Sequence, residues 1–77
     1  MTYEITLTDA IHDGESWTAN GSIVHRKQLD VVCCSDKQLW QKAREMFGYT
    51  NVRGRYISDD AWMPYRSTMM IYLTPQY

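Results

Sequence analysis

Residues 35–48 read Ser-Asp-Lys-Gln-Leu-Trp-Gln-Lys-Ala-Arg-Glu-Met-Phe-Gly, and this stretch decides the fold. Ser35 is a good helix N-cap, and Gln38 three residues on completes a capping box. Asp36 in the first turn suits the positive end of the helix dipole. Lys37 through Phe47 contains no Gly, Pro or β-branched residue, so nothing in it resists helix. Leu39, Ala43, Met46 and Phe47 fall at i, i+4, i+7 and i+8, which draws one apolar stripe. Trp40 flanks the stripe and widens it. Gly48 supplies the residue expected just past a helix end. The pattern predicts one amphipathic helix, with Lys37, Gln41, Arg44 and Glu45 facing solvent.

On both sides of the helix the pattern changes to strand. Tyr3, Ile5 and Leu7 alternate with Glu4, Thr6 and Thr8, a period-2 signal. His12-Asp13-Gly14-Glu15 follows, and Asp-Gly marks a turn between extended runs. From Ser16 to His25 the alternation resumes. Asn20-Gly21 within it is a bulge, or a second turn that splits the strand. Arg26-Lys27 reads as a polar corner. Leu29 to Cys34 is apolar and β-branched, as a central strand would be. After the helix, Asn51–Ser58 reads as a strand, with Gly54 as a further bulge signal. Residues 59–64 read as a connection, Thr68–Thr74 as the last strand, and Gln76-Tyr77 as a tail. The expected fold is therefore α+β: an antiparallel sheet of about five strands with one helix packed on one face, in the order β-β-β-α-β-β, as a single domain over residues 1–77.

Composition sets further bounds. A chain of 77 residues has room for one core and buries only about 60% of its unfolded surface. Ten aromatic residues, three Trp, six Tyr and one Phe, exceed what so small a core needs, so some rings reach the surface, where Trp and Tyr are typical binding anchors. The net charge of −1 is unevenly spread. Residues 1–25 carry four acidic groups and no Lys or Arg, residues 26–58 balance to +4, and residues 59–77 to −1. There is no basic, apolar leader and no apolar run of the roughly 18 residues that span a bilayer. The two cysteines, Cys33 and Cys34, are adjacent and cannot staple distant segments. The expectation is a cytoplasmic protein, in the producing or the infected cell, with no membrane partner.

Chemical motifs were weighed against simpler explanations. His12, His25, Cys33 and Cys34 offer zinc-binding atoms but not zinc-binding spacing. Cys34 precedes a helix N-terminus, which lowers a thiol pKa, but position alone is not a catalytic site. Asp59-Asp60 resembles half of an acidic metal cluster, but no second cluster lies nearby in sequence, and the pair reads as a solvated turn. No phosphate-cradling Gly-Lys-Ser/Thr loop is present. The reading is of a non-enzyme with no cofactor and no metal.

Two sets of residues remain for binding. Arg53, Arg55 and Tyr56, with Arg44 and Tyr49, form a basic and aromatic strand suited to phosphate and base stacking. Against this, a sequence pI near 6.0 is low for a nucleic-acid domain. Trp62, Met63, Tyr65 and Arg66 resemble interface anchors, or else Trp62 and Tyr65 fold back to close the core. With Asp59 and Asp60, the candidate partner-binding residues are Arg53, Arg55, Tyr56, Trp62, Tyr65, Arg66, Asp59 and Asp60.

In size, acidic start and strand–helix–strand plan, the chain resembles the small proteins of phages and other mobile elements, among them anti-CRISPR proteins. That resemblance implies stoichiometric binding to a host defence complex, protein or ribonucleoprotein, by covering its nucleic-acid surface or blocking a moving part. Such proteins share no signature, so no residue carries over. A small host regulator and a toxin–antitoxin component fit the same sequence. The leading expectation is a protein-binding inhibitor of a larger host complex. The alternative is a nucleic-acid-binding domain using Arg44, Arg53, Arg55 and Arg66. Homodimerisation through an open sheet edge is also expected to be available.

Overall fold

A computed structural model describes residues 1–32 and 35–76. Cys33, Cys34 and Tyr77 lie outside the described residues, and so do the expectations that rest on them. The elements are β1 (Thr2–His12), β2 (Trp17–Asp30), α1 (Asp36–Glu45), β3 (Gly54–Ser58), β4 (Ala61–Pro64) and β5 (Met69–Gln76). All pairings are antiparallel, and the strand order is β2-β1-β5-β4-β3. The expected α+β class and five-stranded sheet are found. The element order is β-β-α-β-β-β, which corrects the expected β-β-β-α-β-β.

Two misreadings account for that difference. Leu29-Asp30 is not the start of a separate central strand but the end of β2, which runs straight through Arg26-Lys27. Those charges are tolerated because β2 is an edge strand. The Lys27 ammonium donates to Met46 O at 2.8 Å and lies over the Phe47 ring, where a cation suits the helix C-terminus. Arg26 meets Glu4 at 3.5 Å. Charged residues on an edge also discourage further strand addition. The second misreading concerns residues 61–64. They form β4, every residue of which is buried, so its four positions show no polar alternation and read as a loop.

The helix forms as its sequence directs. Ser35 Oγ accepts from Gln38 N–H, and Gln38 Oε1 accepts from Ser35 N–H. Gly48 takes φ 82°, and Tyr49 N–H turns back to Arg44 O at 2.9 Å. Leu39, Trp40 and Ala43 bury one helix face against Ile5, Val31, Trp62, Ile71 and Leu73. Tyr3, Leu7, Leu29, Met46 and Phe47 pack around that core.

Arg44 corrects the expectation of a solvent-facing side chain. Its Nη2 donates to Tyr49 O (3.2 Å) and Val52 O (2.6 Å). Its guanidinium lies 4.5 Å from the Trp62 ring centroid. The chain reverses after Gly48 and presents two carbonyls that need donors, and the fork of Arg44 supplies both. Trp62 is itself 2% exposed and packs edge-on to Tyr49. Gly54 lies against the Trp62 ring so closely that a Cβ there would strike Met63 O and the indole. The Gly54 signal is thus a close approach, while the β3 register shift falls between Tyr56 and Ser58.

On the face away from the helix, Thr6 is 0%, Thr8 1% and Met63 1% exposed. Thr6 Oγ1 is buried without a partner among the described residues. The cause is curvature. Asp9 sits opposite a four-residue bulge, Asn20–Ile23, between the pairs Thr8–Val24 and Ala10–Ala19. Its carboxylate accepts from Asn20 Nδ2 (2.6 Å) and Ile23 N–H (3.0 Å), and Gly21 takes φ 79°. Bulges bend a strand and increase its twist. The bulge reading of Asn20-Gly21 is the one found.

Candidate functional site

Trp17 begins β2 and Ile57 lies near the end of β3, on strands at opposite edges of the sheet. Five flat strands would hold those edges about 19 Å apart. Both residues nevertheless pack against one cluster of Ala10, Ala61, Met63 and Met70, together with Tyr72. The sheet therefore curls, and its two edges approach each other on the face away from the helix. Between them lies a cleft of about 450 Å³, within the range of binding sites. One wall is the start of β2, with Trp17 half-buried. The other is Ile57, Ser58, Asp60 and Ala61, and the floor is Met70 and Tyr72.

Asp60 is the carboxylate that lines the cleft, and Asp13 stands behind the other wall, bonded to the backbone of Ser16. On the β2 side, Asp13 Oδ1 accepts from Ser16 N–H and Glu15 N–H, both at 2.9 Å. These bonds lower the pKa of Asp13 from its ordinary 3.8. On the far side, Asp60 lines the cleft, and its Oδ1 accepts from Ser58 Oγ at 2.6 Å. His12 packs edge-on to Trp17 at 5.1 Å and holds the hairpin end. The first 25 residues contain no Lys or Arg, and neither do residues 56–65. Arg55, two residues before Ile57 on β3, does not line the cleft.

Two further grooves flank the β3–β4 turn on the helix side. One, of about 460 Å³, is lined by Tyr3, Leu39, Trp40, Leu73 and Pro75 with Asp36, Asp59 and Asp60. The other runs between Trp40 and Tyr56, whose rings pack edge-on at 5.3 Å. The turn is thus a ridge shared by three depressions, and its aspartates form the rim of each.

The sequence-predicted residues divide between two ends of the β3–β4 hairpin. Asp59 and Asp60 are at the cleft end. Arg53, Tyr65 and Arg66 meet at the opposite end, where Tyr65 N–H donates to Arg53 O at 3.0 Å. Arg66 stands there with φ 60°. The five residues of β3 separate the ends, about 20 Å from residue 53 to residue 59. Arg55 is exposed beside Met63, and Tyr56 is 56% exposed on the helix side. Trp62 does not belong with the binding candidates: it is core, because Gly54 and Arg44 enclose its ring. Trp17, Ile57 and Tyr72 were missed. Trp17 lies 40 and 55 residues from the other two in sequence, and only the surplus of aromatic residues hinted at them.

Among the described residues no three His, Cys, Asp or Glu side chains come together to hold a metal ion. No described helix is long and apolar enough to cross a membrane. No family model, curated protein or solved structure matches the chain.

Proposed function

We propose that this chain is a small, non-catalytic protein-binding module, acting in the cytoplasm as a stoichiometric inhibitor of a larger host complex. One observation carries the reading: the sheet is bent so that half-exposed aromatic and aliphatic side chains from opposite edges wall a single cleft with a charged lip. Interfaces take this form, with an apolar, aromatic centre and a polar rim. The resemblance to small anti-defence proteins of mobile elements supplies the role, and the cleft supplies the surface.

The test is affinity capture of the tagged chain from lysate of its host cell, with and without nuclease, read by mass spectrometry. Ala19→Arg adds bulk and positive charge to an exposed position of the cleft wall, and Gln41→Arg makes a comparable change on the exposed helix face. The expected result is a nuclease-resistant partner in stoichiometric amount, lost with Ala19→Arg and kept with Gln41→Arg. Capture that is indifferent to Ala19→Arg overturns the reading. The convergence of Arg53, Tyr65 and Arg66 favours a second reading, a nucleic-acid surface. It is supported instead if capture disappears with nuclease and affinity falls steeply with salt.

A further inference from the structure

We infer that the cleft between the sheet edges receives an arginine side chain of the partner protein. This deepens the binding reading above and rests on it. The chemistry of the walls selects the occupant. Trp17 and Tyr72 offer aromatic surface, Met70 and Ile57 an apolar floor and wall, and Asp60 a carboxylate at the mouth. Asp13 does not line the cleft; it is bonded to the N–H of Ser16, which does. An anionic group would meet the Asp60 carboxylate, and an aliphatic one would leave Asp60 without a counter-charge. A cation with an apolar stem satisfies every wall at once.

Arginine fits better than lysine for three reasons. Its planar guanidinium stacks on aromatic faces. It pairs with a carboxylate through two parallel hydrogen bonds. It is also less strongly hydrated, so it enters an apolar cleft with less opposition. The chain uses the same pairing internally, where the Arg44 guanidinium lies over Trp62. Arg55 is the nearest cation on β3 but does not line the cleft, so Asp60 is not already matched there. The Asp60 side of the cleft therefore stands as a charge-complementary seat for a basic group of the partner.

The experiment is a titration of the isotope-labelled 77-residue chain, followed by NMR, with two blocked five-residue peptides. One carries a single arginine between glycines and the other a lysine in its place. The arginine peptide is expected to shift the Trp17 indole N–H and the backbone amides of Ser58, Asp60 and Tyr72 in a saturable way. The lysine peptide is expected to bind several-fold more weakly. Asp60→Asn, which keeps shape and can still accept from Ser58, is expected to weaken the arginine peptide about tenfold. Its amide spectrum reports whether the fold is intact. Equal binding of the two peptides, shifts that map to the helix-side grooves, absence of saturable shifts, or indifference to Asp60→Asn each overturns the inference. Failure here leaves the capture experiment untouched, because that experiment reads a whole partner and the Ala19→Arg lesion.

Discussion

Gly54→Ala is the substitution that probes the packing of the β3–β4 hairpin most sharply. The added methyl would fall on Met63 O and onto the indole of Trp62, 2.6 Å from its Cε2. Neither neighbour can yield easily. Met63 O is strand backbone, and Trp62 is 2% exposed, with Tyr49 at its edge and Arg44 over its face. Overpacking of this kind costs typically 1–3 kcal/mol and sometimes more. The smaller unfolded-state entropy of alanine offsets up to about 1 kcal/mol. Because neither neighbour gives way, the cost lies at the top of that range, about 3 kcal/mol, and the net loss expected is about 2–3 kcal/mol. A domain of this length has only about 4–12 kcal/mol in total, so the midpoint of thermal unfolding should fall by roughly 10–20 °C. Gly48→Ala is the internal control, because a Cβ there meets nothing within 4 Å and suffers only its φ of 82°, a strain of about 1–2 kcal/mol. Urea denaturation followed by circular dichroism measures both. A Gly54→Ala loss below 1 kcal/mol, or one smaller than that of Gly48→Ala, would refute the packing described here.

Three further outcomes follow from single contacts. Arg44→Met keeps the stem but removes the donors to Tyr49 O and Val52 O, and should cost about 2 kcal/mol; a change within 0.5 kcal/mol would mean that Arg44 faces solvent after all. Thr6→Val replaces a buried hydroxyl that has no partner with a methyl of the same shape, and should stabilise by about 1 kcal/mol. Destabilisation in the same urea assay would reveal a hydrogen bond that the packing hides. Asp9 and Asp13 both titrate below their ordinary 3.8, Asp9 through Asn20 and Ile23 and Asp13 through Ser16 and Glu15. Folded pKa values below the unfolded ones give stability that is present above about pH 4 and is lost as pH falls through the lowered values. The double variant Asp9→Asn, Asp13→Asn should flatten that acid limb in pH-dependent urea melts, and an unchanged limb would contradict the assignment.

What was legible in the sequence was local. The capping box of Ser35 and Gln38, the stripe from Leu39 to Phe47 and the stop at Gly48 each depend on neighbours within one or two turns, and the helix follows. The alternation of Tyr3, Ile5 and Leu7 and the turn at Asp13-Gly14 give the first hairpin in the same way. Where partners are distant, the reading failed. Ala61–Pro64 is buried on both faces, Trp62 in the helix-side core and Ala61 and Met63 in the opposite cluster, so its four residues carry no period. Arg26-Lys27 looked like a corner because Glu4, Met46 and Phe47, which receive those charges, lie 19 or more residues away. Arg44 looked solvated because the carbonyls it serves appear only once the chain reverses.

The candidate site follows the same rule. Asp59 and Asp60 announce a turn, and that turn is a rim of the cleft. The cleft itself depends on the bulge at Asp9, which brings Trp17 toward Ile57 across the whole width of the sheet. No window of sequence contains both. The surplus of Trp and Tyr was the available signal, and it gave a property of the surface without a location.

The central claim is that this cleft is where the partner sits. Site-specific photo-crosslinking tests it most directly, with benzoylphenylalanine placed at Thr18 on the cleft wall or at Gln41 on the exposed helix face. The account requires a covalent adduct to one host protein from position 18 and none from position 41. Adducts from position 41 alone would place the partner on the helix and contradict it.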